Sequence, residues 1–456
     1  MSSPVLNSAV CEPCDVCRGG CPATRFADLA AGEDDTTRGL VAGATAPSEL
    51  PPCQLACPIH QDAPGYLAAL ARGDQEAALE IILRDSPFPS VLGHVCHRPC
   101  EGACVASPVQ TPPRIRALKR FAAEAERPVD RPPTRGADAP TAGAHDPAAK
   151  ATDTPVTIVG AGPAGLGAAW YLAREGVKVT VVETDPVAGG MLAWAIPEFR
   201  LPAEALKQDL DYILSWGIDL RLGTTLEPDE AAALHRDGAC LVLACGAPLA
   251  ARVDLPGADA PGVLLGLDFL RALTLGSGLD VEAPVVVVGG GNTAIDAART
   301  ALRRADGVTL AYRRERADMP AFAEEVDAAE REGLRIVERA EPVALQTDAR
   351  GRLTGVTFRE TSFDGVGADG RRRFRGTTGT EQTIDAKLCI LAVGQESAQA
   401  SWAQAFGLDE LAPDESGRLA PGVYAAGDLV TGPATVVEAL AAGIACAKAI
   451  LEGGGR

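Results

Sequence analysis

The chain has 456 residues, of which 46% are apolar, 23% charged and only 4% aromatic, and its net charge is −19. That length suits about three domains with aliphatic cores. The acidic balance and the lack of a contiguous basic run argue against nucleic acid as a partner, and no apolar run reaches the ~20 residues of a membrane span.

Residues Met1 to Val10 have neither a positive flank nor a long apolar core, so they do not read as a signal peptide, and a cytoplasmic protein is expected. Thiols stay reduced there, which makes the 13 cysteines better candidates for ligands than for disulfides. Nine of them precede residue 126. The first group, Cys11-x2-Cys14-x2-Cys17-x3-Cys21-Pro22, has the ferredoxin spacing that holds 4Fe–4S clusters, in which the fourth thiolate can serve a second cluster. The second group is Cys53-x3-Cys57-Pro58, followed by Cys96-x3-Cys100-x3-Cys104. Nine thiolates suit two clusters with one spare. Zinc in four-cysteine sites is a second reading, although these x3 spacings are less typical of it, and unliganded thiols are a third. Between the groups, Leu67, Leu70, Ala78, Ile81 and Ile82 are spaced for two short helices broken at Gly73, and a further helix is expected over residues 114–126. Residues 1–126 therefore read as a small, mainly helical iron–sulfur domain. Residues 127–154 are rich in Pro, Ala, Asp and Thr, which is linker composition.

From Pro155 the pattern changes to strand, glycine loop, helix, strand. The stretch Val156-Thr-Ile-Val-Gly160-Ala-Gly162-Pro-Ala-Gly165 leads into a helix expected over residues 164–175. A second strand over residues 177–182 then ends at Glu183, 23 residues after Gly160. Such glycines let backbone approach a pyrophosphate at a helix N-terminus, and the acid suits a ribose 2′-hydroxyl while repelling a 2′-phosphate. Far along the chain, Gly422-Val-Tyr-Ala-Ala-Gly427-Asp428 precedes Gly432-Pro-Ala-Thr435 and a helix over about residues 434–451. A strand ending in Gly-Asp offers a carboxylate to a ribityl hydroxyl, and the following helix start can face the electron-rich edge of a flavin. The pair of segments points to FAD. Taken alone, the second segment reads equally well as a strand–turn–helix with an exposed Asp.

A second fingerprint, Val285-Val-Val-Val-Gly289-Gly-Gly291-Asn292-Thr293-Ala294, repeats the pattern. Its next strand, residues 308–311, ends in Tyr312-Arg313-Arg314 rather than in an acid, with Arg313 24 residues after Gly289. Guanidinium groups at that point favour a 2′-phosphate, hence NADPH; a solvated strand end is the plainer alternative. Cys240, Cys245, Cys389 and Cys446 fall in apolar segments and read as core residues. No Cys-x2-Cys follows either fingerprint, so a catalytic disulfide is not expected.

The fold class expected is α/β, with two dinucleotide-binding domains behind a helical cysteine-rich one. The divisions are 1–126, linker 127–154, FAD domain 155–255 and 389–456, and NADPH domain 256–388.

Several segments carry a resemblance. They are Cys53-Gln-Leu-Ala-Cys57-Pro, Pro87-Phe-Pro, Val95-Cys96-His-Arg-Pro-Cys100-Glu-Gly-Ala-Cys104 and Ile115-Arg-Ala-Leu-Lys-Arg-Phe121 in the N-terminal part. Gly189-Gly190-Met191-Leu, Ile196-Pro-Glu-Phe-Arg-Leu-Pro202, Gly290 to Asp296, Met319-Pro-Ala321, Gly370-Arg-Arg-Arg and Ala392-Val-Gly-Gln395 continue it. From Cys53 onward the chain resembles the small, NADPH-oxidising subunit of glutamate synthase and its relatives, including the N-terminal half of dihydropyrimidine dehydrogenase. The resemblance implies a nicotinamide domain inserted in the flavin domain. Hydride would pass from NADPH to FAD, and single electrons would pass through one or two 4Fe–4S clusters to a partner subunit or ferredoxin-like carrier. The sequence departs from that family in two places. A Cys-x2-Cys before Cys53 is missing, and Lys119 stands where relatives with two clusters carry a Gln or Glu ligand. An ammonium has no lone pair for iron. The Cys11–Cys21 group could replace the missing thiolates or build a separate cluster.

No general base or nucleophile for chemistry on an organic substrate is evident. Hydride transfer needs none, and the contribution to catalysis is expected to be spread over Gly190, Met191, Asp428 and Thr435. A stand-alone diaphorase, an electron-bifurcating subunit and a zinc-held docking module remain as other readings.

Overall fold

The computed structural model describes residues 50–107, 111–125, 154–276, 278–367 and 370–453; Cys11, Cys14, Cys17, Cys21 and most of the 127–154 segment lie outside them. The chain divides into two compact units, one of residues 1–189, 200–245 and 400–456, the other of residues 190–199 and 246–399.

The cysteine-bearing part of the first unit is helical. Asp62 and Asp74 cap the helices Ala63–Ala71 and Gln75–Asp85 by accepting from Gly65 N and Ala77 N, which satisfies donors a helix start leaves open. Pro89 and Pro99 start the helices Pro89–Val95 and Pro99–Gly102, where a missing N–H costs nothing. Tyr66, Leu70, Ile82 and Ile115 pack into one core, with Cys53 and Cys100 against it. The helix expected over residues 114–126 spans Ile115–Ala123.

The rest of the first unit is a six-stranded sheet. Its strand order is Arg418–Ala420, Val423–Ala425, Cys240–Leu243, Val156–Val159, Val179–Val182 and Asp219–Arg221. All neighbours are parallel except the first pair. Val156, Ile158 and the whole Cys240–Leu243 strand are buried, as strands covered on both faces must be. The helices Pro163–Arg174 and Val436–Glu452 pack on each other, and Gly443 is where the two backbones meet: a Cβ there would strike Ala164 O. Asp209 joins the cysteine-bearing helices to this sheet domain. It is fully buried and accepts from Ser90 N at 3.2 Å and Val91 N at 2.7 Å, at the start of the helix Pro89–Val95.

The second unit holds a five-stranded parallel sheet in the order Val263–Leu265, Leu388–Leu391, Val285–Val288, Val308–Ala311, Arg335–Val337. A four-stranded antiparallel sheet of Ala340–Thr347, Leu353–Val366, Arg372–Gly376 and Gln382–Asp385 accompanies it. Two differences from the sequence expectation stand out. Cys389–Leu391 belongs to this sheet, paired with Val263–Leu265 and Val286–Val288, so the chain leaves the second unit at Gln399 and not at residue 388. Residues 190–199 also fall in the second unit, because Met191, Trp194 and Ala195 pack on Leu267 and Ala250. An apolar run marks a strand but not the sheet it joins.

Candidate functional site

Three places gather the residues singled out above. The first is the loop after Val156–Val159. Gly160 has φ +106°, a region closed to most side chains, and a Cβ on it would strike Ala244 O. Gly162 caps the helix Pro163–Arg174 and faces open space on its Cβ side, as Gly291 does at the second loop. Each is a cradle in which backbone N–H groups and a helix start are left for an anion, the arrangement a pyrophosphate needs. A Cβ at Gly165 would strike Gly160 O, so that glycine serves helix–loop packing. Glu183 accepts from Ala161 N at 2.7 Å and Asp185 N at 2.8 Å. Both bonds fix the carboxylate beside the loop and leave lone pairs for a ribose. Cys245 departs from the core reading given to it: it is only partly buried beside Gly160, and its Sγ lies 3.7 Å from Val159 O. Burial, then the Glu183 charge, pushes its thiol up to about 12.

Asp428 follows Gly427, whose φ is +69°. Its Oδ1 accepts from Ala434 N at 3.2 Å. Burial, with a smaller push from Glu438, raises its carboxyl to about 6. A carboxylate so placed gains from a hydroxyl donor, which a ribityl chain supplies. Thr435 caps the helix Val436–Glu452 in a reciprocal box with Glu438.

The second loop lies in the second unit. Asn292 Oδ1 accepts from Phe322 N at 3.0 Å, and Gly290 O accepts from Ala321 N at 3.2 Å, which ties the Met319–Ala321 segment to the loop. Thr293 Oγ1 accepts from Gln395 Nε2 at 3.0 Å. Arg313 is exposed and Arg314 half-buried. Among the described residues neither forms an ion pair, whereas Arg316 pairs with Asp327 and Glu330, and Arg372 with Glu315 and Asp318. Burial raises the Tyr312 phenol, while Arg314, Arg313 and Arg371 act to lower it. Gly190 and Met191 start the short helix Met191–Trp194.

The third place is a narrow pocket. Cys57, Cys96 and Cys100 line it, with Gln61, Tyr66, Lys119 and Val437 among the others. Burial and the neighbouring Cys96 push the Cys100 thiol up to about 12. Burial likewise raises Cys96, against the opposing charge of Lys119. Tyr66, fully buried, is raised by burial and then by the charges of Cys100, Cys57, Cys53 and Cys96, and its hydroxyl donates to Ile115 O at 3.3 Å. Bare thiolates are disfavoured here, and a cluster that supplies positive charge relieves them. These donors fit an iron–sulfur cage. Among the described residues no three His, Cys, Asp or Glu side chains gather closely enough for one metal ion. A cubane spreads its thiolates over separate irons, so three converging cysteines suit it better than they suit a lone zinc. Cys104 is partly buried and does not line this pocket.

Sequence reasoning missed Gln61, Tyr66 and Val437, and named Arg371 and Gln395 only within longer segments of the resemblance. Each acts across a large separation, such as the 102 residues between Gln395 and Thr293, and no local pattern marks it.

With these sites in view, comparison with known proteins is direct. Residues 154–443 match the pyridine nucleotide-disulphide oxidoreductase family, and the chain belongs to it. Residues 46–130 match the family of dihydropyrimidine dehydrogenase domain II, 4Fe-4S cluster. The chain is therefore an oxidoreductase that uses FAD, NAD(P)H and a 4Fe–4S centre. It is 38% identical over 460 residues to the beta subunit of the NADP(+)-dependent formate dehydrogenase of Moorella thermoacetica, covering 94% of this chain and 65% of that one. It is 37% identical to the beta subunit of an NADPH-Fe(3+) oxidoreductase of Geobacter sulfurreducens, over 76% of this chain and 51% of the relative. The chain thus spans less than two thirds of these relatives. The small chain of the NADPH glutamate synthase of Escherichia coli is 32% identical, with 88% of each chain covered. In fold, the chain is similar to Mycobacterium tuberculosis FprA in complex with NADPH: TM-score 0.56, 16% identity, 66% of this chain and 84% of that one. Thioredoxin reductase of T. acidophilum is similar too: TM-score 0.50, 22% identity, 66% and 99% coverage. No helix among the described residues is long and apolar enough to cross a membrane.

Proposed function

We propose that this chain oxidises NADPH, holds the electrons on FAD, and passes them singly through a 4Fe–4S cluster to a protein partner. The observation that carries this reading is the place of Val437. It stands in the first turn of the helix that follows Asp428 and also lines the Cys57–Cys96–Cys100 pocket. One helix start is thereby common to the flavin carboxylate and the cluster pocket, which gives electrons a short way out.

On this reading Gly160, Gly162, Gly165 and Glu183 hold the adenosine and pyrophosphate of FAD. Asp428, Gly427 and Thr435 serve the flavin half. Gly289, Gly291, Asn292 and Thr293 cradle the nicotinamide dinucleotide, and Arg313 and Arg314 select its 2′-phosphate. Gly190 and Met191 serve hydride transfer by position. Cys57, Cys96 and Cys100 ligate the cluster, with Cys53, one helical turn before Cys57, as the nearest source of a fourth thiolate. The second cluster draws four thiolates from Cys104 and the Cys11, Cys14, Cys17 and Cys21 group, which leaves one spare. The divisions are a cysteine domain, a flavin domain in two parts and an inserted nicotinamide domain, working in a reducing compartment such as the cytoplasm. Several relatives are named as beta subunits, which supports an electron-accepting partner on another chain.

Flavin and cluster supply the redox chemistry when bound; the chain supplies position and charge. Cofactor analysis tests the assignment. Anaerobically purified protein should carry about one FAD and about four to eight irons per chain. Colourless, zinc-bearing, iron-free protein would contradict it.

A further inference from the structure

Lys119 is a buried cation with no anionic partner among the described residues. Only 7% of it is exposed. Its Nζ donates to Gln61 Oε1 at 3.2 Å and lies 6.0 Å from the centre of the Tyr66 ring. Both are neutral partners. Gln61 is itself 2% exposed, and its amide nitrogen donates to Asp85 Oδ2 at 3.0 Å, which turns the amide oxygen toward the lysine. Among the described residues Lys119 forms no ion pair. A buried charge without a counter-ion costs several kcal/mol, so the pocket suits an anion that the described residues do not supply. The lysine lines the same pocket as Cys57, Cys96 and Cys100.

Resting on the reading that these three cysteines hold a cluster, we propose that Lys119 is that cluster's fixed counter-charge and raises its reduction potential, taking no part as a ligand. Reduction adds one electron, delivered from the flavin, and makes the cluster more negative; no bond forms or breaks. A positive charge nearby stabilises the reduced state more than the oxidised one, and strongly so where water is excluded. Gln61 Oε1 orients the ammonium by accepting one of its hydrogen bonds, and a protonated nitrogen has no lone pair for iron. The opposing effect of Lys119 on the raised Cys96 and Cys100 thiols has the same origin. Two other cations line the pocket, and both are weaker candidates. Arg98 is 38% exposed and pairs with Glu101 at 3.6 Å, and Arg116 donates to Cys96 O at 3.0 Å from a partly exposed position. Solvent screens both.

The test is a redox titration of the anaerobically purified full chain, followed by electron paramagnetic resonance, on wild type, Lys119→Met, Lys119→Arg and Gln61→Glu. Lys119→Met, neutral and of similar length, should lower the reduction equilibrium constant at least tenfold, about 59 mV for one electron. Gln61→Glu, which adds a negative charge against the ammonium, should lower it as well, and Lys119→Arg should hold the wild-type value within threefold. An unmoved potential in Lys119→Met, or an arginine variant that falls as far as the methionine one, overturns the proposal. If Lys119→Met fails to retain iron, Gln61→Glu decides: an unchanged potential there overturns it. A wild-type chain with no cluster signal would instead sink the cluster reading itself.

Discussion

At the scale of single residues the chemistry is set by a few charges out of balance with their surroundings. Arg313 and Arg314 lie where an NAD site places an acid, and among the described residues neither forms an ion pair. Losing a charge-assisted contact costs roughly 1.5–3 kcal/mol, or roughly tenfold to a hundredfold in affinity. Arg313→Ala with Arg314→Ala should weaken NADPH binding by that factor and leave NADH nearly unchanged, measured by titration calorimetry; equal losses for both would assign the arginines to structure. Asp428 gives a pH signature. Its carboxyl titrates near 6 in the folded chain, above the unfolded value of about 3.9. The folded state therefore binds a proton that the unfolded state has released. The resulting stability is fully present below about pH 4 and is lost as pH rises through about 6, on the order of 3 kcal/mol in all. In flavin-free protein, Asp428→Asn should flatten this part of the Tm-against-pH profile. An identical profile in the variant would place the titrating group elsewhere.

Among elements, the docking of the cysteine-bearing helices on the first sheet rests on Asp209. Its carboxylate closes two open donors at the start of the helix Pro89–Val95, a favourable place for negative charge. Asp209→Ala leaves those buried N–H groups without their acceptor and should cost about 1–3 kcal/mol per group left unpaired. Limited proteolysis should then release the helical part before the sheet domain; an unaltered digestion pattern would show that other contacts hold the two. Elements with a local cause were legible in the sequence. Val156–Val159 and Val285–Val288 are β-branched runs into glycine loops, and the structure places both as central strands of parallel sheets. What the sequence concealed is long-range. Asp209 meets Ser90 across 119 residues, and Cys389–Leu391 joins a sheet whose other strands precede it by far. The three pocket cysteines were legible through their spacing, but the lysine's posture was not, because Gln61 and Lys119 are 58 residues apart. Helix ends moved by one to three residues, as capping and not periodicity fixes them.

At the scale of the whole molecule the proposed relay has its nicotinamide site in one unit and its flavin site and thiol pocket in the other. The Cys11–Cys21 run lies outside the described residues, and on the proposed reading its ferredoxin spacing supplies a second cluster. A chain lacking residues 1–45 should lose about four irons per chain while keeping FAD. An unchanged iron count and spectrum would remove that run from the cofactor set. The relay itself is tested most directly by stopped-flow reduction of Cys100→Ser beside wild type, with NADPH as donor and flavin and cluster absorbance followed together. The account predicts unchanged flavin reduction in the variant, with electrons then held on the flavin and no transfer to an external protein acceptor. Transfer at the wild-type rate with the Cys57–Cys96–Cys100 cluster gone would contradict it.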